Sequence, residues 1–572
     1  MKMHSKTTGL VLISFVISVL ISITAAFGWQ TKKTEFISGR VLDQQGSPIN
    51  DARIRIQGAQ DFVLSNKNGL FMISLNTPNR KVSRQYIVVA GKESFFNGSQ
   101  VYRRGSSDLT IKLQRVPNRD FKDYSFIITS PLHASFSPND QINCANCHTT
   151  HLWEWGASKM GKAGTNKEVM KEYKVFKSKR KPYQENTCAD CHAPIAAFNN
   201  PGKTDFNQAV RDNSNRSKGI ECDFCHKIKA VEVGNKPGVQ AIDLSRQHFG
   251  QGMMQWIMAY GPYDNVQAMP MAASYHPLYK KSAYCSSCHQ DAWKLPGVEK
   301  WDYLSVYPEA AKQDLYEKGR VIPNQWTYQE WSEWQATLND DHQNKGTTCQ
   351  NCHMNWSQDM MPYYRYIVSG EIRDRFGNER APDSITPHRF QGATTKMLTG
   401  VANLVIVAEA DKDKLLVNIK VTNVNAGHRL PTGESSRNLI LLVEAKDGKN
   451  RLLKLISGSH VPEWGGVGNK KTDYAQHPGK GFARIMIDKN GKTNVSSWEA
   501  VAVVSDNRLK PKTVDQSDFL FFLPNNIDRE EVSVTAKLIY RKKFKTALIK
   551  DETSLKEMVI EEKTIDLDTG GL

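Results

Sequence analysis

The sequence predicts a multidomain fold: an N-terminal β-sandwich, a mainly α-helical and irregular core, and a C-terminal β-sandwich. Three observations predict it. Apolar residues alternate with a period of two near both ends of the chain, as half-buried strands require. All ten cysteines fall in the middle, between Cys144 and His353. That middle stretch is rich in Trp, Tyr, Met and Pro and has few long periodic helices. A chain of 572 residues is long enough for several such cores.

Residues 1–34 read as an export segment. Lys2 and Lys6 precede an apolar run from Gly9 to Phe27, and Trp29, Lys32 and Lys33 follow it. Thr24 and Ala26 supply small residues near a cleavage point, which suits a removable signal peptide. The run is also nearly long enough to stay as a membrane anchor. Either outcome places the rest of the chain outside the cytoplasm, in the periplasm or an equivalent compartment.

Residues 35–115 form the first β region. Ala52, Ile54 and Ile56 alternate with Arg53 and Arg55, and Leu109, Ile111 and Leu113 repeat the pattern. Turns are expected at Gln45-Gly46-Ser47-Pro48 and Asn66-Lys67-Asn68-Gly69. The string GRVLDQQGSPINDARIRIQG…SNKNGLF resembles the carboxypeptidase-regulatory-like domain, a prealbumin-like β-sandwich. The resemblance implies a non-catalytic accessory module concerned with packing or adhesion.

Residues 116–396 hold the chemistry. One five-residue phrase, C-x-x-C-H, occurs five times: at Cys144, Cys147 and His148; Cys188, Cys191 and His192; Cys222, Cys225 and His226; Cys285, Cys288 and His289; and Cys349, Cys352 and His353. Two thiols so spaced can form thioethers with the two vinyl groups of one porphyrin. The following imidazole then meets the iron from below. Structural zinc would require two such pairs per ion or distant ligands, with no need of a histidine after every pair. Five c-type haems, each with an iron, are therefore the cofactors the sequence predicts. The motifs are unequally spaced, so one domain enclosing a haem cluster is expected rather than tandem modules. Two helix starts read as capping boxes, Thr165 to Glu168 and Thr327 to Glu330, with Trp331, Trp334 and Leu338 on one face of the second helix.

Residues 397–572 return to strands. Leu404 to Ala408, Leu415 to Val421, Leu439 to Ala445, Phe519 to Leu523 and Val532 to Tyr540 are the candidates, with hairpin turns at Asp447-Gly448 and Asn490-Gly491. A β-sandwich is expected.

The formal charge of +17 raises nucleic acid or an acidic membrane as partners. The lysines are scattered, however, and no nucleic-acid motif is present. Haem propionates give part of the positive excess a use. Neither a G-x-S-x-G elbow nor a P-loop occurs, so hydrolase and nucleotide-binding classes are not supported.

From Cys144 to Gly433 the chain resembles the exported multihaem cytochromes of the hydroxylamine-oxidoreductase and ammonia-oxidiser tetrahaem cytochrome superfamily. The strings that carry the resemblance are CANCHTTHLWEWGASKM, CADCHAP, GIECDFCHK, YGPYDN…CSSCH, TYQEW…TTCQNCHM, HRFQGA and NAGHRLPTG. It implies that His388 and His428 are distal iron ligands, so that the C-terminal β region covers a haem. Where many relatives carry a histidine near the first helix, this chain has Met160. Met160 either ligates an iron, giving a higher-potential Met–His centre, or packs against a ring as a flexible core residue. His276 and His151 are further distal candidates; His248 and His342 come after them, then His133, His460 and His477.

The expected function is electron transfer through mostly bis-His haems, between redox partner proteins or a quinone-linked membrane donor and an exported acceptor. No catalytic residue is assigned. The alternative is a multihaem oxidoreductase acting on a small nitrogen or sulfur compound at one open iron. Every motif ends in histidine and spare histidines are ample, which favours transfer. No motif encodes the oligomeric state.

Overall fold

A computed structural model describes residues 35–75, 84–106, 108–129, 144–146, 148–180, 184–185, 187–211, 219–234, 236–249, 256–266, 271–294, 321–355, 384–545 and 555–567. The export segment, Cys147, His133 and Met269 lie outside them. Sheet-rich regions stand at both ends, with a helix-containing region between. Among the described residues, no helix is long and apolar enough to cross a membrane.

Among the described residues the N-terminal region has seven strands: β1 (Phe36–Asp43), β2 (Arg53–Ile56), β3 (Val63–Leu64), β4 (Leu70–Ser74), β5 (Gln85–Gly91), β6 (Gly98–Arg103) and β7 (Leu109–Leu113). They make two sheets, ordered β4-β1-β7 and β3-β2-β5-β6. One apolar cluster draws Ile37, Val41, Phe71 and Ile111 from the first sheet and Ile54, Ile56, Val88 and Ala90 from the second. The alternation in the sequence thus marks the core side of both sheets. The expected turn at Asn66 closes through the Gly69 N–H onto the Asn66 carbonyl at 2.8 Å. Gly69 has φ +73°, and a Cβ there would lie 2.5 Å from the Val41 carbonyl oxygen, so both conformation and space call for glycine.

Arg53 and Arg55 do not face solvent as alternation alone suggests. Both bind Asp264 of the middle region. Asn97 adds amide bonds of 3.0 Å to the carbonyls of Tyr263 and Val266, and Asn265 reaches the Ala59 carbonyl at 3.1 Å. The outer surface of β2 is therefore a docked surface.

The middle region carries short elements, among them β8 (Ile228–Val231), β9 (Ile242–Leu244), β10 (His248–Phe249), β11 (Trp256–Gly261), β12 (Met271–Tyr275), β13 (Asp291–Lys294) and β14 (Val321–Gln325). Its larger helices are Thr149–Ala157, Lys167–Lys179 and Thr327–Thr337. Both expected helix starts shift. Asn166, not Thr165, caps Lys167–Lys179, accepting the Glu168 N–H at 3.0 Å. The Thr327–Thr337 helix has Trp326 at its cap and no side-chain cap bond, because the Thr327 hydroxyl turns to Thr432 and Glu330 is engaged elsewhere.

The C-terminal strands are β15 (Ala402–Asp411), β16 (Lys414–Asn423), β17 (Asn438–Lys446), β18 (Leu455–Ser457), β19 (Gly479–Ile487), β20 (Ala502–Asp506), β21 (Val514–Phe522), β22 (Ser533–Arg541) and β23 (Met558–Asp566). They form sheets ordered β15-β16-β21-β18 and β20-β19-β17-β22-β23. Leu404, Val417, Ile419 and Phe519 from the first meet Leu439, Leu441, Val534 and Leu538 from the second in one core. The second sheet also buries its other face, where Ile440, Ile539, Trp464 and Phe544 pack. The segment joining β19 to β20 leaves this core. Its Val495 and Trp498 enter the apolar cluster of the middle region beside Phe176 and Trp293, and Gln184 donates to the Trp498 carbonyl at 2.7 Å.

Candidate functional site

The second to fifth attachment phrases each form one tight turn of helix. Cys188–His192 and Cys349–His353 are helices in their own right, and Cys285 to His289 end the helix Ala283–His289. In the first and third phrases the histidine N–H bonds back to the first cysteine carbonyl, at 2.9 Å in both. A helical turn sets residues i, i+3 and i+4 on one face. In the second to fifth phrases both thiols and the imidazole therefore share a side, as one macrocycle requires. All nine described cysteines are free thiols rather than disulfides.

The phrases also approach one another. The Cys144 thiol hydrogen-bonds that of Cys222, Cys191 that of Cys288, and Cys285 that of Cys349. These thiol contacts, with burial, push Cys144, Cys191 and Cys285 well above the usual range. The attachment points of phrases one and three are thus neighbours, as are two and four, and four and five.

The histidines show whether an iron fits. His226 Nδ1 lies 2.6 Å from the Tyr260 carbonyl, and His353 Nδ1 lies 2.6 Å from that of Gln391. His388 and His428 follow the same pattern, with Nδ1 3.0 Å from the carbonyls of Thr386 and Arg429. A ring that donates Nδ1–H to a carbonyl presents Nε2 as its ligand atom, the usual second-shell arrangement of a metal-bound histidine. The four rings stand in two pairs. His226 and His388 have centroids 6.2 Å apart and planes 25° apart; His353 and His428 have 6.2 Å and 13°. Two metal–nitrogen bonds of about 2.0 Å, each with about 1.1 Å from nitrogen to ring centre, span roughly 6 Å. The spacing fits one iron between each pair.

Protonation agrees. Burial lowers the His192, His226 and His428 imidazoles, and burial with the nearby His353 and Arg437 takes His289 down to about 4. Neutral imidazole is the form that binds iron. Among the described residues the buried His192 Nδ1 has no hydrogen-bond partner, a deficit that a metal or a rotated ring would remove.

Two loops carry His388 and His428. His428 lies between β16 and β17, where the chain crosses from one C-terminal sheet to the other. Asn423, fully buried, donates to the His428 and Leu509 carbonyls at 3.0 and 3.2 Å and accepts the Ala426 N–H at 3.0 Å. Leu430 and Leu509 exchange backbone bonds of 2.9 and 3.0 Å. His388 lies on a loop that serves two sites, since Gln391 of the same loop holds His353. Phe390, with φ +43°, turns the chain between them.

The remaining candidates take other places. His151 packs edge-on to His388, with ring centroids 4.4 Å apart, and stands 6.1 Å from His148. His151, Glu154 and His388 keep their ligand atoms within 4.8 Å of one another, a group that could itself hold a metal ion. His276 has Nδ1 accepting the Leu278 N–H at 3.2 Å and Nε2 3.7 Å from Glu93. The Met160 carbonyl accepts the Ala163 and Ile220 N–H groups. His342 Nδ1 accepts the Asn344 N–H at 3.1 Å in a local turn.

Sequence reasoning missed the Tyr260, Thr386, Gln391 and Arg429 carbonyls, which carry no side-chain signal. It also missed Glu154 and Glu330. The signal for Glu330 was present but was consistent with a helix cap.

Residues 143–227 match the family model for cytochrome c554 and c-prime, over the first three attachment phrases. The match supports a multihaem c-type cytochrome. Haem c is accordingly its cofactor. A pentahaem cytochrome c552 from Thermochromatium tepidum is similar in structure over 74% of this cytochrome and 97% of that chain, at 19% identity and a TM-score of 0.48. No curated protein matches the chain significantly.

Proposed function

We propose that this cytochrome is exported and carries electrons through five covalently bound haems, mostly with two imidazoles on each iron. His148, His192, His226, His289 and His353 serve as the ligands that follow their own thiols. His388 completes the iron of His226, and His428 that of His353. The observation that carries the reading is the pairing of these rings: two independent pairs, each 6.2 Å between centroids, with all four Nδ1 atoms on backbone carbonyls. A bound haem closed by two imidazoles supplies a one-electron centre suited to transfer rather than to substrate binding. The protein's part is to hold the imidazoles neutral, orient them and bring the attachment points together in the neighbouring sets described above. Redox partner proteins, or a quinone-linked donor in the membrane, would exchange electrons with it; residues 9–27 would act as export signal or anchor.

Low-temperature EPR of the haem-loaded chain, with and without cyanide, nitrite and hydroxylamine, tests the reading. Five haems per chain, all low-spin and unreactive, are expected. A high-spin ferric haem that binds these ligands would instead favour an oxidoreductase acting at that iron.

A further inference from the structure

Two buried glutamates stand in matching positions. Glu154 precedes Trp155 on the helix Thr149–Ala157, and Glu330 precedes Trp331 on the helix Thr327–Thr337. Each meets a His-Arg pair from a distant loop. Glu154 Oε2 accepts the His388 N–H at 2.7 Å, and its other oxygen lies 3.7 Å from Arg389 Nε. Glu330 Oε2 accepts the Arg429 N–H at 3.2 Å and the Thr432 hydroxyl at 2.6 Å, while Oε1 accepts Arg508 Nη1 at 2.7 Å. The residues are only 6% and 3% exposed. A buried carboxylate is costly unless donors converge on it, so each glutamate fixes the donors as firmly as they fix it.

We propose that Glu154 and Glu330 are a pair of positioning residues, each holding in register the loop that presents a distal imidazole, Glu154 for His388 and Glu330 for His428. The inference rests on the ligand reading above. For His428 the path is short. Glu330 binds the Arg429 N–H, and the Arg429 carbonyl receives His428 Nδ1. For His388 the carboxylate binds the N–H of the ligand residue itself. A shift of either carboxylate therefore moves the imidazole and not only the fold. Thr327 does not form the capping box with Glu330, which leaves the carboxylate to the loop.

The test compares Glu154→Ala, Glu154→Gln, Glu330→Ala and Glu330→Gln with His388→Ala and His428→Ala, all as the haem-loaded full chain. The readouts are haem content, the number of low-spin ferric centres and cyanide affinity. Each His→Ala variant should turn one haem into a cyanide-binding centre. Each Glu→Ala variant should weaken the hold of that imidazole on its iron by about 10- to 100-fold, the range by which loss of an outer-shell partner weakens metal binding, and so let the same haem bind cyanide. Glutamine, whose carbonyl still accepts the N–H, should restore most of the low-spin signal. Glu→Ala variants that resist cyanide like the parent, beside His→Ala variants that bind it, would overturn the positioning role alone. His→Ala variants with unchanged spectra would overturn the ligand reading and this inference with it. Should the alanine variants fail to load haem, Glu154→Asp and Glu330→Asp, which keep the charge but withdraw the carboxylate from the loop, decide. A displaced signal from one low-spin haem supports the proposal, and spectra identical to the parent overturn it.

Discussion

Arg55 and Asp264, 209 residues apart in the chain, meet in a two-point ion pair: Nε to Oδ1 at 2.6 Å and Nη2 to Oδ2 at 3.2 Å. Arg53 binds the same carboxylate, and the Asp264 side chain is only 4% exposed. The pair ties the N-terminal sheets to the YGPYDN segment. Tyr260 of that segment supports His226, and Tyr263 reaches the His388 loop.

Replacing Asp264 with Asn keeps the shape and removes the charge between two guanidinium groups. Breaking a buried pair from one side costs about 3–5 kcal/mol. The partial exposure of Arg53 argues for the low end. Denaturant unfolding and limited proteolysis should show earlier release of residues 35–115. An unchanged midpoint would mean that the apolar contacts suffice.

Tyr263→Phe removes a hydroxyl that accepts the Thr386 N–H and donates to the Ser384 carbonyl, both at 2.9 Å. Two lost hydrogen bonds should cost about 1–3 kcal/mol. Because Thr386 also holds His388 Nδ1, the EPR signal of that one haem should shift while the others stay. Uniform spectra would show that the loop does not depend on Tyr263.

Gly427, next to His428, lies under Trp334. A Cβ there would stand 2.5 Å from the indole ring. Gly427→Ala should destabilise by about 1–3 kcal/mol through overpacking. In a Trp334→Ala background the same change should be nearly neutral, which a double-mutant cycle reads directly. Additive costs would place the strain elsewhere.

Glu172 responds to pH. Burial and then the Glu434 charge raise its carboxyl to about 7. Its folded pKa thus exceeds the usual value of about 4.3, so the folded state keeps a proton that the unfolded chain releases. The stability linked to that proton is fully present below about pH 4 and is lost as pH rises through 7. Glu172→Gln should flatten the fall, gaining about 1–2 kcal/mol at pH 8, less than the full shift because the side chain is half-buried. Thermal melts from pH 4 to 8 check it, and parallel curves for parent and variant would refute it.

Much was legible in the sequence. The alternation at Ile54 and Ile56, and at Val534 and Leu538 within the Val532 to Tyr540 strand, marked residues that fill the two sheet cores, because a strand repeats every two residues whatever surrounds it. The hairpin turn at Asn490-Gly491 appears where Gly491 N–H bonds the Asp488 carbonyl at 3.1 Å. His388 and His428 stood out through the strings around them. The same local signals misled elsewhere. Arg53 and Arg55 alternate as a wet face does, but the partner that covers them lies far along the chain. Glu330 has the spacing of a helix cap, but a buried loop competes for its carboxylate and wins.

By itself the sequence determined the attachment chemistry: thiol, thiol and imidazole within five residues share a face because a single helical turn puts them there. It also determined which regions would be sheets. Only the tertiary structure decided which distant imidazole meets which motif, and which carbonyl sets its tautomer. Those contacts join residues from separate loops, and backbone carbonyls are the same at every position. Their selection depends on where the chain returns in space.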